Sequence, residues 1–315
     1  MRERCRFQAH AELPIRAAFT LIEIAIVLVI IGLIVGGILV GQELIHAAGV
    51  RATISQIEKY NQAVNTFYGK YGYLPGDIKD PDASSFGFLP RGIYHGMGDG
   101  DGNIEGLYAN SPSTNTGYAI GYGETAMVWV DLSTAHLIDG GFNTSTMLSR
   151  PPGTITGAGL SAYFPTAKLG GGNYIYIWSD GVFHSGGNGW VGWSNNGINY
   201  FGLSAISQID ITGESTSTAT LPVKDAFAID SKIDDGLPQL GRVTVQYVSL
   251  GLLAWAGTAY TGAPTTAATA GSATSCYDNS SAASGTPGVA GAAQHYSLEI
   301  SGGSGPNCAL SFRFQ

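Results

Sequence analysis

From Ile24 to Gly41 (IAIVLVIIGLIVGGILVG) the chain runs without one charged side chain. A run of that length is enough to cross a bilayer as a helix. Polar and arginine-bearing residues fill the stretch before it, up to Ala18. Past it the pattern turns one-sided. Ile54, Ile57, Asn61, Val64 and Tyr68 recur at three- and four-residue steps, Phe67 and Tyr71 thicken that face, and Gln56, Glu58, Lys59 and Gln62 take much of the rest. Leu74-Pro75-Gly76-Asp77 then reads as a stop and a turn. One helix from about Phe19 to Gly69 is expected, ~75 Å long at 1.5 Å per residue.

Beyond Pro75 the texture changes to short apolar-aromatic runs separated by Gly, Ser, Asn and Thr clusters. Tyr174-Ile175-Tyr176-Ile177-Trp178 and Val243-Thr244-Val245-Gln246-Tyr247-Val248 read as strands. One amphipathic helix is expected among them, Glu124 to Ile138, stopped by Asp139-Gly140-Gly141. The stretch from about Thr258 to Ala293 is poor in large apolar residues and reads as a long loop. The expected fold class is α+β: a long N-terminal helix packed on a mainly antiparallel sheet. The expected organisation is a segment 1–18, a helix 19–72 with a membrane-embedded part at about 20–41, and a β-rich head over 73–315.

Composition sharpens this picture. The 46 glycines and a charged fraction of only 12% suit a loop-rich β domain. The net charge of −8 is uneven: Arg2, Arg4, Arg6 and Arg16 stand before the apolar run against Glu3 and Glu12, so everything after it is more acidic still. Arginines on that side place the N-terminus in the cytoplasm and the head outside. An acidic head repels phosphate backbones, which argues against nucleic acid as a partner.

Glu23 is the residue that calls for explanation, because a carboxylate at the edge of an apolar segment is costly in hydrocarbon and implies a partner. A cut before Phe19 would create an α-amine one helical turn upstream, on the same chain or on a neighbour packed with an axial stagger. Gly32-x-x-x-Gly36 and Gly37-x-x-x-Gly41 offer flat surfaces for close helix packing.

Ala18-Phe19-Thr20-Leu21-Ile22-Glu23 followed by the apolar run resembles the processing and methylation motif of type IV pilins and type II secretion pseudopilins. The resemblance is specific over residues 17–45 and looser beyond. It implies cleavage between Ala18 and Phe19 by a prepilin peptidase, N-methylation of Phe19, and assembly through Glu23. The implied partners are further copies of the chain, related pilins and an assembly machinery. The implied location is the inner membrane, then a surface pilus or a periplasmic pseudopilus. Two features depart from the common pattern: Ala18 stands where Gly is usual before the cut, and the apolar helix carries no Pro. The head is bulky for a typical major pseudopilin, so a pilus subunit leads, a pseudopilin is the alternative, and an anchored binding protein or hydrolase is a distant third. Later pieces also resemble one subgroup of prepilin-type proteins, namely Tyr73-Leu74-Pro75-Gly76-Asp77, the Gly-Asp run at 98–103, Ile229–Pro238 and the terminal cysteines.

Of the three cysteines, Cys5 lies in the segment expected to be removed, leaving Cys276 and Cys308 either as a disulfide or as two buried thiols. A bridge would be worth roughly 3–4 kcal/mol and would fit an oxidising compartment.

Asp99-x-Asp101-x-Asn103-x-Glu105 spaces oxygen donors two apart in a Gly-rich loop, as calcium loops do, but Asn110 stands where an EF-hand has its bidentate acid. The competing reading is a turn that favours Asp, Asn and Gly for their backbone geometry. Trp190-Val191-Gly192-Trp193, with Tyr174, Tyr176 and Trp178, fits either core strands or an aromatic contact surface. No H-E-x-x-H pair, G-x-S-x-G elbow or phosphate loop occurs, so a structural role is expected and no enzyme.

Overall fold

The computed structural model describes residues 20–107, 115–147, 149–180, 197–256, 275–278, 295–298 and 301–314. Ala18, Phe19, Trp190, Trp193 and nearly all of the expected loop 258–293 lie outside them. Residues up to Ala47 form one unit and those from Ala48 another.

Helix α1 spans Leu21–Tyr71. No proline interrupts it, and Gly72, with φ +76°, ends it through a bond from its N–H to the Tyr68 carbonyl. In the first unit the apolar side chains from Leu21 to Ile45 are exposed, on every face of the helix. Among the described residues this is the one helix long and apolar enough to cross a membrane.

In the second unit α1 has one buried face, made of Val50, Ile54, Ile57, Tyr60, Ala63, Val64 and Phe67. The face is rotated slightly from the sequence expectation. Tyr68 is 53% exposed and Asn61 half-buried, while Tyr60 is buried edge-on against Trp129 with ring centroids 5.0 Å apart.

A single turn, α2 (Asp82–Ser85), follows. Helix α3 covers Glu124–Thr134 and not the expected Glu124–Ile138. His136 takes a left-handed conformation (φ +56°), and Leu137 N–H closes back on the Leu132 carbonyl, ending the helix a turn early. Nor is α3 amphipathic: every residue from Glu124 to Leu132 is buried. A second helix, α4 (Val223–Ile233), interrupts the strands where none was expected.

The main sheet is built on the strand Asn199–Ile209. Asn173–Ser179 pairs along it (Trp178 opposite Tyr200), Leu310–Arg313 pairs with its first half, and Ser215–Thr218 and Ile155–Thr156 pair with its second. Val243–Thr244 joins beyond Leu310–Arg313, and every pairing is antiparallel; the run Val243–Val248 is not the one strand expected, because Val245 turns its N–H to the Pro238 carbonyl and Gln246–Ser249 pairs instead with Leu252–Trp255. Tyr176 explains Gly202: a Cβ there would stand 2.3 Å from the Tyr176 ring, which lies across the strand so that its hydroxyl can accept the N–H of Val248. Trp178 is buried too, its indole N–H donating to Ser311 Oγ, so the aromatic run is core.

Two small ladders tie down the C-terminal part. Tyr277 lies opposite Tyr296, and Cys308 opposite Leu221. Cys276 and Cys308, both fully buried, form a disulfide with their Cα atoms 4.9 Å apart.

Candidate functional site

The start of α1 is a reciprocal cap. Glu23 Oε2 accepts from the N–H and the hydroxyl of Thr20, both at 2.8 Å, while Glu23 N–H faces Thr20 Oγ1 at 3.4 Å. This is the Ser/Thr-x-x-Glu arrangement that satisfies otherwise orphaned helix donors. Thr20 is the residue that the sequence reading missed, although its spacing from Glu23 announces it. Along the apolar stretch an added Cβ at Gly32, Gly36, Gly37 or Gly41 would meet nothing within 4 Å, so these positions are open to close approach by another helix. The segment therefore combines a fixed carboxylate at its mouth with an exposed, glycine-notched apolar surface.

The acidic loop of the head is built differently. Asp99 Oδ1 accepts the N–H of Asp101, Asp101 Oδ1 that of Asn103, and Asn103 Nδ2 donates to Glu105 Oε1. The loop folds over two carboxylates from elsewhere. Asp77 accepts the N–H groups of Gly100 and Gly102 at 2.7 and 2.8 Å, and Glu124, the first residue of α3, accepts those of Gly98 and Glu105 at 2.6 and 2.9 Å. Oxygens of Asp77, Asp99 and Glu124 converge within 4.8 Å, and so do ligand atoms of His95, Asp99 and Asp101. Of the four residues singled out by spacing, Asp99 and Asp101 thus enter such groups, whereas Asn103 and Glu105 are held to each other. The first of these sets is all-oxygen, of a kind that suits hard divalent cations, whereas the second includes an imidazole nitrogen. Here the donors that meet Asp77 and Glu124 are backbone N–H groups.

Burial sets the protonation of this cluster. It pushes Asp77 up to about 7, with the Gly102 and Gly100 N–H groups opposing and the Asp101 and Asp99 charges adding to the rise. Glu124 is raised well above the ordinary carboxylate range by burial, then by the charges of Asp77 and Glu105. Asp77 and Glu124 were not joined to the loop by sequence: Asp77 lies in the Leu-Pro-Gly-Asp turn, and Glu124 reads as an ordinary acidic first turn.

A buried ion pair aligns these parts. Arg91 Nη2 donates to both Asp131 oxygens at 2.7 and 2.6 Å, its Nε to the Ile78 carbonyl, and Gly76 N–H to Asp131. Gly76 has φ +89°, and a Cβ on it would lie 2.5 Å from the Glu124 carbonyl, so the turn before Asp77 seats against α3 only with glycine there.

No family model, curated protein or solved structure matches the chain.

Proposed function

We propose that the chain is the precursor of a structural subunit of a type IV pilus-like filament. Held in the inner membrane by α1 with its head outside, it is cut between Ala18 and Phe19 by a prepilin peptidase and N-methylated on Phe19. It then joins other copies and related pilins through the apolar half of α1. The carrying observation is the surface of that half: exposed apolar side chains on every face and a capped carboxylate, Glu23, at its entrance. In water such a surface is unstable, so it needs lipid before assembly and neighbouring helices after it. The buried disulfide fits export to an oxidising compartment. The same motif serves a pseudopilin, which forms a short periplasmic structure instead of a surface fibre.

The test replaces Glu23 by Gln. Glutamine preserves the cap with Thr20 but removes the charge that would neutralise an α-amine. We expect processed, membrane-held protein that no longer enters filaments. Filaments of normal length and number from this variant would contradict assembly through the carboxylate.

A further inference from the structure

We propose that the Cys276–Cys308 bridge is made while the head is still open and is then sealed by the strand Leu310–Arg313, so that neither a disulfide donor nor a reductant reaches its sulfurs in the closed head. The placement of that strand carries this. It begins two residues after Cys308 and lies inside the sheet, with Tyr200 to Leu203 along one edge and Val243–Thr244 along the other. From Cys308 to Phe312 the chain is buried without a break, so Cys308 turns outward only if Ala309 and Leu310 move with it. Ser311 Oγ accepts the Trp178 indole N–H and donates to the Gln246 carbonyl, both at 2.9 Å. Beyond it, Arg313 N–H bonds the Arg242 carbonyl and Phe314 N–H that of Asn199, with the Phe314 and Phe201 ring centroids 4.3 Å apart.

Cys276 is enclosed from the other side. Its N–H donates to the Ala256 carbonyl, and Ala256 N–H donates to the carbonyl of Val245, next to the strand Val243–Thr244 that walls the slot. Its own carbonyl accepts Ser297 N–H, and Tyr277 beside it lies opposite Tyr296, whose hydroxyl donates to Asp230 of α4 at 2.8 Å. Both cysteines are fully buried. Thiol–disulfide exchange needs approach of a third sulfur: one cysteine thiolate attacks the donor disulfide and expels a donor thiolate, and the second cysteine then displaces the remaining donor sulfur. Two protons and two electrons leave the cysteines, and the donor ends as two thiols. A close-packed interior leaves no room for that third sulfur, so the exchange precedes seating of the strand. Once made, the bridge holds Cys308 beside the slot and the strand after it seats from a short tether. The seated strand then guards the bridge against reduction.

The experiment measures both directions on the full-length chain in detergent, with the thiol state of Cys276 and Cys308 read by alkylation and peptide mass. Excess dithiothreitol should reduce the native bridge about a thousandfold more slowly than in denaturant, or slower still, since a native domain is open for about one part in a thousand or less. The rate should follow hydrogen exchange at 310–313. Ser311→Ala leaves the Trp178 indole N–H without its acceptor and should speed both about tenfold. In the other direction, oxidised glutathione present from the start of refolding should give the bridge. Added after a reduced chain has refolded, it should act no faster than exchange at 310–313. A reduced chain that stays open until it is bridged shows the same order of events. A native bridge reduced as fast as in denaturant, reduction that outruns exchange at 310–313, or a refolded reduced head oxidised at once overturns the proposal.

Discussion

Glu23 caps the first turn of α1, and on the proposed reading the same carboxylate would also serve assembly; substitution can separate the two. As a cap it satisfies donors of the first turn of α1 through Thr20. Thr20→Ala removes that partner and is expected to cost about 1 kcal/mol of local helix stability, read as fraying of the first turn by hydrogen exchange. Filament formation should persist in Thr20→Ala and fail in Glu23→Gln; the opposite order would place the function in the cap and not in the charge. Arg91 offers a contrast. Its side chain and that of Asp131 are almost wholly buried, and removing one partner leaves the other charge uncompensated. Arg91→Ala is expected to destabilise the head by about 3–5 kcal/mol, measured by chemical denaturation. A loss below about 1 kcal/mol would show that water reaches Asp131.

Elements differ in how plainly the sequence announces them. Both halves of α1 are legible because each has one period throughout: unbroken apolarity to Gly41, then a stripe at three- and four-residue steps. The strand Asn173–Ser179 is legible from its β-branched and aromatic content, whereas the run Val243–Val248, read as one strand, is divided at Val245 between two sheets. Helix α4 is not legible, because it buries Asp225 and Asp230 among its apolar residues and follows directly on the strand Leu221–Pro222. Its apolar face looks broken until Tyr296 is seen to meet Asp230. The same holds for the acidic loop. The donors of Asp99, Asp101, Asn103 and Glu105 are visible in sequence, but Asp77 and Glu124 reach them only through the tertiary seat of Gly76 against α3. The cysteine pair is legible as a pair, and the fold shows what it closes. Replacing both Cys276 and Cys308 by Ser should cost roughly 3–4 kcal/mol, seen as a lower denaturation midpoint with the sheet intact. An unchanged midpoint would mean that the segment closes as well without the bridge.

At the scale of the molecule, two properties distinguish this chain. The first is an acidic head with carboxyl groups buried on neutral donors. Asp77 is raised to about 7 and Glu124 is raised as well, both chiefly by burial. For Asp77 the stabilising contribution is fully present below its unfolded value near 4 and is lost as pH rises through about 7, and Glu124 acts in the same direction. Thermal unfolding should therefore occur at higher temperature at pH 5 than at pH 8. Glu124→Gln should flatten that slope, since the amide cannot ionise. A midpoint that climbs with pH would contradict the protonated state of this cluster.

The second property is the exposed apolar half of α1, which is the basis of the filament reading. Its sharpest test is the N-terminus of the mature protein, taken from membranes or filaments of the native host by intact mass and N-terminal sequencing. The account predicts a chain that begins at Phe19 with a methylated amine, retaining Glu23 one turn in. A chain that begins beyond the apolar run, near Gly49, or that still begins at Met1 in mature material would contradict it. Either result would return α1 to the role of a signal or a plain anchor.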